Sequence, residues 1–183
     1  ANVYFENCTA EAQVRSTTEM LAETSGPAFD VNFESVYKNR FGKSQIPPGY
    51  MKSLSECGFR MYGTGGPTAR KTGAVTAINC KATNTRIGFA FAKVTDDVLI
   101  KNCEAYGCEA AYNVNGVTIE NSKGDAKYGP LLYVENGAPS KIELQLLPDT
   151  STATVHAVAC IEGDNHAITL TSNSQNIRPI QTP

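Results

Sequence analysis

The chain has 183 residues, enough for one domain with a real core, and only 19% of them are charged, with a formal net charge of −2. That balance gives no overall pull towards nucleic acid, no apolar run approaches the ~20 residues of a membrane-spanning helix, and the composition excludes coiled coil, collagen and wholesale disorder. Fourteen Asn and 18 Thr favour strands interrupted by turns over helices.

The first element is Val3-Tyr-Phe-Glu-Asn7-Cys8-Thr-Ala10, an alternating strand that ends on Asn-Cys. Residues 11–23 have room for one or two helical turns. Ala28-Phe-Asp-Val-Asn32 is read as the second strand belonging to the first motif. The stretch 35–73 then breaks the pattern. Between Ser35 and Lys71 it holds Lys38, Arg40, Lys43, Lys52, Arg60, Arg70 and Lys71 against the single acid Glu56, a local charge of +6 that leaves −8 for the remainder. Tyr37, Tyr50, Tyr62 and Phe41 are interspersed, and Pro47-Pro48-Gly49 sets a turn. A long insertion of this kind in a compact domain is commonly functional or disordered, and this one also reads as a solvated basic loop that pairs with acidic rungs.

The first motif returns as Val75-Thr-Ala-Ile-Asn79-Cys80-Lys-Ala82, as Val98-Leu-Ile-Lys-Asn102-Cys103-Glu-Ala105 and as Val117-Thr-Ile-Glu-Asn121-Ser122-Lys-Gly124. Each copy is followed by a further strand: Gly88–Lys93, Ala110–Asn115 and Pro130–Glu135. A self-similar β unit recurring at about 20 residues signals a solenoid, because one unit cannot bury its own apolar face whereas stacked units share a continuous core. The spacing predicts inward columns Val3/Val75/Val98/Val117 and Phe5/Ala77/Ile100/Ile119. It also predicts a ladder of Asn7, Asn79, Asn102 and Asn121 at a turn. From Lys141 onward, strands at 142–147, 153–161 and 167–171 lack the Asn-Cys signature and read as final rungs or a C-terminal cap over 141–183. The tail from Arg178 to Pro183 is a docking strand or a loose end.

These repeats resemble the right-handed parallel β-helix, or pectin-lyase-like, proteins, a group with polysaccharide lyases, some glycosidases and epimerases, and phage tailspikes. The resemblance implies an all-β solenoid and, by analogy, action on a polysaccharide, the alternative being a non-catalytic glycan-binding or structural β-helix module. The chain starts on a repeat strand, so an upstream β-helix segment or a partner chain is expected to cover that end. The resemblance also implies a secreted, periplasmic or cell-surface location.

The candidate site combines these readings. The basic stretch would lean over one face and bind an acidic polysaccharide, with no nucleic-acid or membrane partner. Alternation puts Phe29, Val31, Tyr112 and Val114 inside, so Asp30, Asn32, Asn113 and Asn115 point outward, with Ala90 and Ala92 between them. Lys38 and Tyr50 would join this binding shelf. β-Elimination needs a cation at the uronate carboxylate, a base for the C5 proton and an acid for the leaving oxygen. Arg40, Arg60 or Arg86 would hold the carboxylate, and Lys38, Lys43, Tyr50 or Tyr128 would move protons. Hydrolysis would need two facing carboxylates, and the sequence offers Asp30 without a clear second. No cofactor is called for, and a calcium site at Asp30/Asn32/Glu34 is the weakest reading. Arg86, Glu109 and Tyr128 each lie six residues after the Cys/Ser position and should share a column, in which Arg86 over Glu109 also reads as a plain ion pair. Cys8, Cys80 and Cys103 share their position with Ser122, which points to reduced, buried fillers and not a disulfide framework. No zinc spacing occurs. His156 and His166 read as edge residues with a base role open, and Gly63–Gly66 opens no helix that would cradle phosphate.

Overall fold

The computed structural model describes residues 2–12, 55–61, 73–92, 94, 97–108, 110–126, 130–147, 158–172 and 180–181. Every regular element among them is a strand: β1 (Val3–Glu6), β2 (Thr9–Glu11), β3 (Ser55–Arg60), β4 (Val75–Ile78), β5 (Lys81–Thr83), β6 (Thr85–Ala90), β7 (Val98–Lys101), β8 (Glu104–Tyr106), β9 (Ala110–Val114), β10 (Val117–Gly124), β11 (Leu132–Val134), β12 (Lys141–Leu146), β13 (Ala159–Ile161), β14 (Ala167–Ser172) and β15 (Ile180–Gln181). All pairings are parallel. Sheet A stacks β1, β4, β7, β10, β12 and β14, and its second limb runs from β2 through β5 and β8 to the far half of β10. Sheet B stacks β3, β6, β9, β11, β13 and β15. The result is a parallel β-solenoid, as the repeats predict.

The bend between the two limbs of sheet A comes from one residue per coil. Asn7, Asn79, Asn102 and Asn121 have φ of 54°, 53°, 54° and 43°. Asn is the side-chain-bearing residue that enters this left-handed region most readily. The four amides form the expected ladder: Nδ2 of Asn79 donates to Oδ1 of Asn7 at 3.1 Å, Asn102 to Asn79 at 3.2 Å, and Asn121 to Asn102 at 2.8 Å. The residue after each Asn does more than fill space. Its thiol or hydroxyl returns a hydrogen bond to the carbonyl two residues earlier, and from the third coil on it also caps the preceding coil's bend. The Cys80 amide donates to Sγ of Cys103 at 3.4 Å, and the Cys103 amide donates to Oγ of Ser122 at 3.0 Å. All six cysteines are free thiols. Burial pushes the Cys103 thiol up to about 12 and raises Cys80 as well.

Inside, Val3, Val75, Val98 and Val117 stand in register, as do Phe5, Ala77, Ile100 and Ile119. Facing them from sheet B is an aromatic stack. Phe59 lies 5.0 Å from Phe89 at 9°, and Phe89 lies 5.2 Å from Tyr112 at 6°. Tyr112 is fully buried, and its hydroxyl crosses the core to donate to the carbonyls of Lys123 (2.8 Å) and Cys103 (3.0 Å). Space at Gly88 is so tight that a Cβ there would sit 2.5 Å from the Ala111 carbonyl oxygen on the neighbouring strand of sheet B and 2.8 Å from Cβ of Ala105 in sheet A.

Two sequence expectations are corrected. The sheet B strand of the first coil is Ser55–Arg60, whose Phe59 pairs with Phe89. It lies inside the stretch read as a continuous irregular insertion, and residues 28–32, read as that strand, lie outside the described residues. The Gly58-Phe59 pair repeats Gly88-Phe89, and that short echo is the signal that marks it. Because β1 pairs β4 directly, Asn7 and Asn79 stand on adjacent coils although 72 residues separate them. At the other end, β12 and β14 extend sheet A, and β13 and β15 extend sheet B, so the C-terminal strands stack as further parallel members. Residues 11–12 of the proposed helical stretch belong to the end of β2 and the residue after it, and 13–23 lie outside the described residues.

Candidate functional site

The strand pleat selects the residues that face away from the core on sheet B. Arg60, Ala90 and Asn113 are in register, followed by Tyr133 and Cys160. Their neighbours Phe59, Phe89, Tyr112, Leu132 and Ala159 form the core column. The sequence reading gave Asn113 its outward direction and placed Arg60 in a loop over that face, whereas Arg60 is itself the outward residue that ends β3. It did not show that this face is shielded. Asn113 is 7% exposed and Tyr133 2%, and Ala90 and Ala92 are buried too. The pleat fixes the direction of a side chain, while its exposure depends on what lies beyond it, so alternation alone predicted an open shelf.

The polar groups on this face bind one another. Nδ2 of Asn113 donates to Oε1 of Glu135 at 3.3 Å. The Tyr133 hydroxyl donates to Oε1 of Glu162 at 3.1 Å, and the Asn136 amide donates to Oε2 of the same carboxylate at 3.3 Å. Glu135 and Glu162 follow β11 and β13 at equivalent positions, because Val134 pairs with Ile161. The two carboxylates thus project from neighbouring strands, whose spacing is ~4.8 Å. Burial, with a smaller contribution from Glu162, pushes the adjacent Cys160 thiol up to about 12, which keeps it protonated and unreactive. Asn115 turns away into the 135–140 turn. Its Nδ2 donates to the Asn136 carbonyl at 3.4 Å, and its side chain occupies the space a Cβ at Gly137 would need.

Of the remaining sequence-derived candidates, Arg86 lies on β6 and only its backbone is described. Asp30, Asn32, Glu34, Lys38, Arg40, Lys43, Tyr50, Glu109, Tyr128, His156 and Gly63–Gly66 lie outside the described residues. Glu135, Glu162 and Tyr133 went unnoticed in the sequence because register, not motif, brings them together. The one available clue is that each Glu directly closes a strand, after Leu132-Tyr-Val134 and after Ala159-Cys-Ile161.

The outward face of sheet A is different. Its charges pair along the columns: Lys123 with Glu104 at 2.8 Å and Lys101 with Glu120 at 3.1 Å. The Lys123 ammonium, then the Tyr106 hydroxyl at 2.7 Å, hold the Glu104 carboxyl below its ordinary range. Nζ of Lys81 lies 5.3 Å from the Tyr106 ring centre. His166 acts as a clip between turns: Nδ1 accepts from the Ser140 amide at 3.1 Å, and Nε2 lies 3.0 Å from the Glu162 carbonyl. Its ring is thus committed to two backbone groups. No three His, Cys, Asp or Glu side chains among the described residues are grouped to hold a metal ion. No family model matches the chain, and no curated protein matches it.

Proposed function

We propose that this β-solenoid is a carbohydrate-active protein that binds an anionic polysaccharide along the outward side of sheet B. The observation that carries the reading is the register that places Arg60 at one end of the outward side of sheet B and the part-buried Glu135 and Glu162 carboxylates at the other, with the buried Asn113 and Tyr133 bonded between them. A guanidinium binds a uronate carboxylate through a bidentate fork, and carboxylates accept from sugar hydroxyls. The sequence adds a local +6 over residues 35–71, which would draw a polyanion to the coil that contains β3. β-Elimination is the reaction this charge distribution favours. Arg60 would neutralise the carboxylate, and Lys43 and Tyr128 remain the sequence's candidates for moving protons.

One observation favours a second reading. Retaining glycosidases use two carboxyl groups ~5–5.5 Å apart, and Glu135 and Glu162, at equivalent positions on neighbouring strands, supply the pair that the sequence lacked. Incubation with polygalacturonate, alginate and hyaluronan separates the outcomes. An absorbing unsaturated product marks elimination. New reducing ends without that absorbance mark hydrolysis and should vanish in Glu135→Gln. Binding without turnover marks a non-catalytic glycan module. Absence of binding to all three at low salt overturns the reading.

A further inference from the structure

A second surface, on sheet A and independent of the site above, has the features of a ligand groove. It is open, occupies about 470 Å³, and crosses the strands at Asn102–Glu104, Asn121–Lys123, Glu143–Gln145 and Thr169/Thr171. That volume lies within the ~300–1,000 Å³ usual for small-molecule sites. Its origin is a change of strand shape. β10 carries one more residue than β12 between matched positions: Ile119 pairs with Ile142 and Ser122 with Leu144. The extra residue makes the Asn121 bend, whereas β12 runs straight past it.

The same change ends the Asn ladder. Each Nδ2 points back to the preceding coil and each Oδ1 forward to the next. The coil after Asn121 offers Glu143 opposite the bend, not another amide donor. The Oδ1 atom of Asn121 and the exposed Glu143 carboxylate are therefore neighbouring acceptors, and neither has a hydrogen-bond donor or ion-pair partner among the described residues. Thr169 stands in register with Glu143 and Thr171 with Gln145, while Lys123 is already held by Glu104. A groove with spare acceptors and a neutralised cation suits a ligand rich in hydroxyl donors and repels an anionic one.

We propose that this groove binds an uncharged oligosaccharide, whose hydroxyls donate to Oδ1 of Asn121 and to the Glu143 carboxylate. The test is titration of the ¹⁵N-labelled full chain with cellohexaose, maltohexaose and chitohexaose. At least one of them should shift the backbone amides of residues 102–104, 121–123 and 143–145. Asn121→Gly, which preserves the positive-φ turn, and Glu143→Ala should each raise the dissociation constant of that sugar at least ten-fold. Neither should alter binding of polygalacturonate, which reports on sheet B. If Asn121→Gly perturbs the fold, Glu143→Ala decides alone, because its side chain is exposed. Failure of all three sugars to shift these amides, or unchanged affinity in Glu143→Ala, overturns the proposal.

Discussion

The limbs of sheet A joined by Asn7, Asn79, Asn102 and Asn121 and the straight strands β12 and β14 occupy the same place in successive coils, yet they differ in shape. In the first region a single left-handed Asn splits each strand into two limbs and ties its amide to the neighbouring coils. In the second, Glu143 stands opposite the bend, and six residues run without interruption through Lys141–Leu146 and Ala167–Ser172. The apolar stack continues across the boundary, with Ile119 beside Ile142 and Ile142 beside Ile168. The core therefore does not require the bend. The bend is a separate instruction, carried by the one residue type that tolerates positive φ at modest cost and can also bond along the stack.

The largest expected effect lies where sheet B supports the bent coils. Phe89 is fully buried between Phe59 and Tyr112, and Phe89→Ala should destabilise the fold by about 3–5 kcal/mol in a denaturant titration. A cost below about 1 kcal/mol would show that the aromatic stack does not organise the core. The next prediction compares equivalent positions directly. Asn102→Ala forces an ordinary residue into the left-handed region, costing about 1–2 kcal/mol, and removes two ladder bonds. Asn102→Gly removes the same bonds without that strain and should be the less damaging change, while Glu143→Ala, at the matching place on a straight exposed strand, should stay within about 0.5 kcal/mol of wild type. Equal costs for the three would dissolve the distinction between the two regions.

Much of this comparison was legible in the sequence. The fourfold Asn-Cys/Ser spacing gave the ladder, the inward Val column and the bend, because all three depend on local conformation repeated at fixed intervals. What lay beyond reach depends on register over long separations. Ser55–Arg60 was missed because its partner strand begins at Thr85 and only Gly58-Phe59 echoes it. Asn113 was given the right direction and the wrong exposure. Glu135 and Glu162 meet only after two strands have been stacked.

Smaller effects sharpen the contrast between the interior of the stack and its ends. Cys103 is fully buried with its thiol pushed up to about 12, so at pH 8 it should react with a thiol reagent only through opening of the fold. Cys8, half-buried beside β1, should be modified ahead of Cys103. Mass mapping of partially labelled protein checks the order, and Cys103 labelled before Cys8 would contradict the stacking. The smallest effect is electrostatic. Glu104 titrates below its ordinary range because the charged form is held by Lys123 and Tyr106. Its contribution is therefore present above the unfolded value of about pH 4.3 and is lost as pH falls through the lower folded value. Lys123→Ala should reduce that acid-sensitive component by less than about 1 kcal/mol, since the pair is partly exposed. Thermal melts of both proteins between pH 3 and 7 measure it, and an Lys123→Ala protein that gains stability relative to wild type above pH 5 would contradict the assignment.

The most direct test of the account is a side-chain amide NOE spectrum of ¹⁵N-labelled protein, read at the four Asn residues of the bend. The account predicts an unbroken chain of contacts, from Asn7 to Asn79 to Asn102 to Asn121, together with contacts between the Phe59 and Phe89 rings that fix Ser55–Arg60 as the first strand of sheet B. Asn amides that contact unrelated residues on different faces, or a Phe89 ring that meets Phe29 in place of Phe59, would contradict it.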